Sequence, residues 1–345
     1  MAKKRYNSKK KSRGMKMQPA ITDLQFIIPA TGGVTTDSRS YIDTAKELSK
    51  CNRRLYSQSR LYGYQGLTFI WKSTADIPGV APSPDRILSS IECSVRTAGN
   101  TWVVQNAHTK GAALWHQMQE LVLEDNPSVA GKWHDFKCLL SVQHVQDRVL
   151  DVLDGQGNPY LAGEWNTSTY VMPQHEVDPA TGEPLLADEF DPVLIGTDTG
   201  SSNKRSLVVA YEQSRATVFA NAPNVPTTLK DSFFNLLTDS GSQEPELAEV
   251  IRAENDNPPY DLDAYPGGAT NGGTAVTVGY GAISASEVDG RIGGFVAPCG
   301  LLEIEIKGYD QDGVQFPVAN MPEIGLLLHV APGAYKGVAA IPMGQ

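Results

Sequence analysis

The chain has 345 residues, 41% hydrophobic and 20% charged, which is ordinary for a folded protein and long enough for one large domain or two smaller ones. Its 29 Lys+Arg and 39 Asp+Glu are unevenly shared: residues 1–16 hold eight basic residues and no acid, leaving 21 against 39, so an arm of +8 precedes a body of −18. No apolar run approaches the roughly eighteen residues of a membrane span, no apolar core follows the basic start as a secretion signal requires, and the acidic body is unsuited to binding nucleic acid broadly.

The arm carries Lys3, Lys4, Arg5, Lys9, Lys10, Lys11, Arg13 and Lys16. So many like charges without apolar residues cannot offset ordering entropy, so the arm is expected to be disordered alone. A cationic tail on an anionic body calls for a polyanion, and the tail is where nucleic acid would be gripped. A nuclear-localisation or solubilising segment is the bland reading, and the two are compatible.

Pro19 closes the arm, and residues 21–36 read as extended or turn-like, broken at Pro29 and Gly32-Gly33. A helix is expected next, capped by Asp37 or Ser38, with Tyr41, Ile42, Ala45, Leu48 and Leu55 near helical spacing. Its exit is basic and aromatic: Lys46, Lys50, Arg53, Arg54 and Arg60 with Tyr56, Tyr62 and Tyr64. Two readings stand side by side. The cations complement the helix dipole, or they form a second nucleic-acid contact with Arg on phosphates and Tyr on bases.

Strands are expected over 66–73 and 87–97. A helix then follows, whose apolar stripe is Val104, Ala107, Gly111, Leu114, Met118 and Leu121, ended by Asn126-Pro127. His108 and His116 flank that stripe eight apart, which is no helical metal pair. Beyond 130 the pattern turns to β, with short runs at 133–142, 149–154, 167–173, 206–212, 216–221, 274–284, 294–309 and 324–333. Turn signals such as Asp154-Gly155 and Asp312-Gly313 separate them. Short helices are expected near 233–237 and 246–254. Gly 32 and Pro 22 suit many turns between short strands. The fold class is therefore mainly β with a few helices: a sandwich, barrel or jelly roll. Two acidic stretches, 176–198 and 239–263, read as solvated loops.

Signals for chemistry are weak. Phosphate-loop, HExxH and GxSxG motifs are missing, and Gly279-Tyr280-Gly281 lacks the third glycine and βαβ setting of a dinucleotide site. No enzyme activity and no cofactor is expected. Cys51, Cys93, Cys138 and Cys299 lack metal or redox spacing and read as buried thiols in a reducing compartment. Asp261 and Asp263, near Glu254 and Asp256, are weak candidates for Ca²⁺ at a subunit contact, and an acidic turn explains them better.

The order AKKRYNSKKKSRG, YIDTAKELSKCNRRLYSQSRLYGYQGLTF, TWVVQNAHTKGAALWHQMQ, and the late FVAPCGLLEIEI and LLLHVAPGAYKGV resembles the capsid proteins of small icosahedral viruses. Within these it looks most like the coats of circular, Rep-encoding single-stranded DNA viruses of the bacilladnavirus-like group, similar to nodavirus coats. The resemblance implies a single jelly-roll β-sandwich, two packed antiparallel sheets over 21–345, preceded by the disordered basic arm of residues 1–20. It also implies self-assembly of 60 copies or a multiple, arms inward on the genome, single-stranded DNA or RNA, and a place in the virion and in the host nucleus or cytoplasm during assembly. Residues 222–273 are the candidate for a surface projection or insertion. Sixty arms of +8 supply only about 480 charges, so Arg53, Arg54, Arg60 or small cations would share the neutralising. The rival classes are a non-viral nucleic-acid-binding β protein and a lectin-like or carbohydrate-active jelly roll.

Overall fold

Alternation of buried and exposed residues marks the main strands. Ile324, Leu326, Leu328 and Val330 point inward while Gly325, Leu327 and His329 are only part-covered, the period of two that a half-buried strand imposes. The computed structural model describes residues 21–29, 38–58, 61–71, 88–127, 135–144, 148–171, 180, 189–196, 203–216, 260, 264–268, 271, 275–284, 287–318, 321–333 and 338–339. The basic arm, Arg60, Asp261, Asp263, the expected helices near 233–237 and 246–254 and most of 222–273 lie outside the described residues.

In chain order the elements are β1 (Asp23–Ile28), β2 (Arg39–Asp43), α1 (Thr44–Asn52), β3 (Arg54–Leu55), β4 (Leu61–Trp71), β5 (Leu88–Thr97), α2 (Trp102–Asp125), β6 (Tyr170–Val171), β7 (Glu189–Val193), β8 (Lys204–Ser206), α3 (Leu207–Ala216), β9 (Val276–Ser284), β10 (Asp289–Ile292), β11 (Phe295–Pro298), β12 (Leu301–Asp310), β13 (Ile324–Val330) and β14 (Val338–Ala339). The protein is mainly β, and two antiparallel sheets pack as a sandwich. One sheet has the order β1-β13-β4-β10, with β11 pairing the first residues of β4, and the other has β2-β12-β5-β9. Leu24, Phe26, Leu67, Phe69, Leu326 and Leu328 of the first meet Ile42, Ile91, Val95, Ile304 and Ile306 of the second in one core.

The span between β5 and β9 adds a second core. Tyr41 and Leu301 point away from Ile42 and Leu302, out of the sandwich. They join Val104, Ala107, Leu114, Phe136, Tyr170, Phe190, Leu207 and Val208. This insertion thus covers part of the outer face of the second sheet. Elsewhere on that face Arg96 lies opposite Glu303 and pairs with it and with Glu305, which also holds Lys307 at 3.3 Å.

Several expected boundaries move, each for a packing reason. The first helix begins at Thr44, not near 38. Tyr41 and Ile42 serve opposite faces of a strand, and Asp43 Oδ1 caps the helix by accepting from the Lys46 N–H at 3.1 Å. Residues 206–212, expected as a strand from their β-branched content, form α3. Ser206 Oγ accepts from the Val209 N–H at 3.3 Å, and burial of Leu207, Val208 and Ala210 overrides propensity. Runs 133–142 and 149–154 make only isolated bridges in their described parts, through Leu139, Val149 and Leu153. The acidic stretch 176–198 is not all loop, since β7 buries Phe190 and Val193. Gly279 and Gly281 sit on β9, where a Cβ at Gly279 would lie 2.4 Å from Ile292, so they serve sheet contact and not a nucleotide.

The α2 stripe holds over its first half only. Val104, Ala107, Gly111 and Leu114 are buried, Met118 is half-buried, and Leu121 is 64% exposed. Gly111 is required by close approach. A Cβ there would lie 2.8 Å from Leu207, and its carbonyl accepts from the Tyr170 hydroxyl at 2.7 Å. Leu114→Ala is expected to cost about 2–5 kcal/mol in chemical denaturation, whereas Leu121→Ala is expected to stay within about 0.5 kcal/mol.

Candidate functional site

The basic helix exit is partly dispersed. Lys46 and Lys50 are engaged with buried Glu47 and with Asp151, at 2.7–3.8 Å. Tyr56, Tyr62 and Tyr64 do not offer faces to bases. All three are buried, with Tyr62 donating to the Ser57 carbonyl at 2.9 Å and the Tyr64 hydroxyl 2.6 Å from Thr44 Oγ1. Arg53 is exposed in a left-handed turn at φ 51°, and Arg54 starts β3, which pairs with β14. The first described residue of the chain lies at this same place. The Ile21 N–H donates to Asn52 Oδ1 at 2.8 Å, and Asn52 Nδ2 donates back to the Ile21 carbonyl at 3.0 Å. The first described residue after the arm is thereby pinned beside Arg53.

A chain of buried hydrogen bonds leads from α1 into the second core. Asp43 Oδ2 accepts from Gln58 Nε2 at 2.7 Å and from Trp165 Nε1 at 2.9 Å. Burial raises the Asp43 pKa, although the Lys46 amide, Gln58 and Trp165 favour the anion. Gln58 Oε1 then accepts from the Cys138 N–H at 2.7 Å. Gln58 is thus fixed from both ends, and with it the backbone of Cys138.

Cys138 belongs to a centre that sequence spacing does not reveal. His108 on α2, Cys138 on the 135–140 segment and Cys299 in the turn between β11 and β12 bring one donor atom each to within 4.8 Å of one another. All three are buried, and His108 Nε2 has no hydrogen-bond partner. The His108 ring stands edge-on to Phe136 at 5.3 Å. Cys299 and Gly300 make the β11–β12 turn at φ 60° and 73°, and Cys299 is one of two non-glycine residues with positive φ among the described residues. That region is costly for a side chain other than Asn, Asp or Gly, so the thiol is held there against a backbone preference. The neighbouring Cys138 thiol and His108 hold Cys299 below the ordinary thiol range, and Cys138 is pushed well above it. On His108, Cys299 more than offsets the effect of burial, and its pKa is raised. The other two thiols are set apart: burial pushes Cys93 up to about 12 and Cys51 up to about 11, as for inert packing residues.

His144 lies beside this region, stacked on Tyr41 at 4.7 Å with its Nδ1 accepting from the Leu140 N–H at 3.1 Å. Burial, then Lys204 and Lys46, push its pKa down to about 3. The unfolded chain protonates such a ring near pH 6.5, the folded chain only near 3. Between those values the unfolded state binds more protons, so stability falls as pH falls, by up to about 1.4 kcal/mol per pH unit. Denaturation midpoints from pH 7 to 4 are expected to show this slope, and His144→Gln to reduce it.

No protein-family model, curated protein or solved structure matches this chain. The site is therefore defined by its own geometry.

Proposed function

We infer that this chain is a viral capsid protein that self-assembles into a closed icosahedral shell and packages its genome through the N-terminal arm. The observation that carries the reading is the attachment of a +8 arm to an acidic sandwich of one particular winding. Taking β10 and β11 as one strand split along β4, the eight strands of the two sheets are ordered first-eighth-third-sixth and second-seventh-fourth-fifth: β1-β13-β4-β10/β11 and β2-β12-β5-β9. Every connection but the one from β5 to β9 passes between the sheets. We read this as a jelly roll, an architecture used by viral capsids, lectins and cupins alike. The winding alone therefore does not choose among them.

Charge does the choosing. Neither a lectin nor a cupin accounts for a polycationic arm on a body of −18, whereas a shell needs inward positive charge on packaged phosphate and an exterior that resists sticking. The junction supports the same reading, because Ile21 is tied to Asn52 next to Arg53 and Arg54, which would extend the arm's grip. Arg60 follows Arg53 and Arg54 within the same basic stretch of sequence. Ca²⁺ at Asp261 and Asp263 is an optional further contact, tested by chelation. The experiment is gradient sedimentation of the expressed protein at rising salt. Fast-sedimenting material that carries nucleic acid and sheds it steeply with salt supports the reading. Slow material without nucleic acid at low salt removes it.

A further inference from the structure

We propose that His108, Cys138 and Cys299 form a zinc site that staples the long insertion to the sandwich. The donor set decides the metal class. Two thiolates and an imidazole suit Zn²⁺ and not the hard, oxygen-seeking Ca²⁺ or Mg²⁺. Zn–S near 2.3 Å and Zn–N near 2.0 Å put tetrahedral donors about 3.5–3.8 Å apart. The three donor atoms already lie within 4.8 Å of one another, so closing on an ion takes shifts of about 1 Å or less, within side-chain rotation.

Three further features fit a ligand at this place. His108 Nε2 is buried and meets no partner at hydrogen-bond geometry, although the Cys299 thiol lies close enough to act on the ring. Cys299 holds a left-handed backbone conformation in the turn where β11 leaves one sheet and β12 enters the other. The backbone of Cys138 is held by Gln58, which Asp43 holds in turn, so the segment that carries the thiol is fixed in place. Charge also balances: two thiolates neutralise Zn²⁺, so the filled site is uncharged where a bare ion would be expensive. Binding would release the two thiol protons, the imidazole coordinating through a neutral ring nitrogen, and three protein ligands would leave the fourth tetrahedral position to a non-protein ligand.

The three ligands sit on α2, the 135–140 segment and the β11–β12 turn, so the ion would join elements far apart in the chain. The site lies within one chain, so its test stands apart from whether the chain builds a shell. Full-length protein grown with zinc, purified with thiols reduced and dialysed free of loose metal, is analysed for metal by mass spectrometry. One zinc per chain is expected. Cys138→Ser/Cys299→Ser and His108→Ala are expected to hold under a tenth of that, with Cys51→Ser and His116→Ala unchanged. A misfolded core variant would also lose metal, so the wild-type protein reloaded with Co²⁺ gives the second readout. Sulfur-to-cobalt charge-transfer absorption and tetrahedral ligand-field bands are expected. Zinc-free wild type with reduced thiols, stoichiometric copper or iron in place of zinc, a Cys138–Cys299 disulfide, or full zinc retention in the double Ser variant would each overturn the assignment.

Discussion

Removing residues 2–16 is expected to abolish most nucleic-acid packaging while leaving the sandwich folded. The deleted segment holds eight of the 29 Lys+Arg and, with Ala2, Tyr6 and Met15, little apolar sequence to bury. Single-stranded binding weakens with a salt exponent of about 0.7 per phosphate contact. Eight contacts then lose roughly a thousandfold in affinity over a fourfold rise in salt, and deletion removes that whole dependence. The absorbance ratio of purified particles reads the content, and circular dichroism reads the fold. Nucleic acid retained in full by the truncated protein would show that packaging lies elsewhere.

The second large effect is expected at Asp43. Its carboxylate caps α1 and accepts from Gln58 and Trp165, so Asp43→Ala removes a cap and strands two donors, one of them on a buried side chain. A lost cap costs about 1 kcal/mol and each buried unpaired group about 1–3 kcal/mol. A total of about 2–4 kcal/mol is expected in urea denaturation, where it moves the midpoint without changing the slope. Asp43→Asn keeps the shape and one of the two acceptor oxygens, so it retains either the helix cap or the Gln58 and Trp165 bonds, and a smaller loss of about 1–2 kcal/mol is expected. An equal, large loss in both variants would mean that both oxygens must accept at once to hold this junction.

The strands of the sandwich were legible because burial on one face writes a period of two. Residues 87–97, 274–284 and 324–333 announce β5, β9 and β13 in this way. The expected run 294–309 is instead two strands in different sheets, broken at Cys299-Gly300, since no propensity marks a left-handed cysteine. The insertion was harder to read. Its strands are short, and the surroundings of α3 override the β-branched signal of its sequence. The thiol–imidazole centre was invisible to spacing, because 108, 138 and 299 meet only when the insertion packs on the β11–β12 turn. The pairing of Ile21 with Asn52 is likewise a tertiary fact, 31 positions apart. By contrast the Asp154 turn was readable. Its side chain accepts from the Gln156 and Asn158 N–H groups at 2.8 and 2.9 Å, as an Asx turn does.

The most direct test of the capsid reading is electron microscopy of the purified full-length protein. Sixty copies of a 37.3 kDa chain come to about 2.2 MDa, and closed symmetry limits the shell to that number or a permitted multiple. Hollow or filled icosahedral particles of that mass or larger, with internal density that disappears when residues 2–16 are removed, are the expected result. A uniform monomer or small oligomer at every salt concentration and pH that keeps the sandwich folded would contradict it.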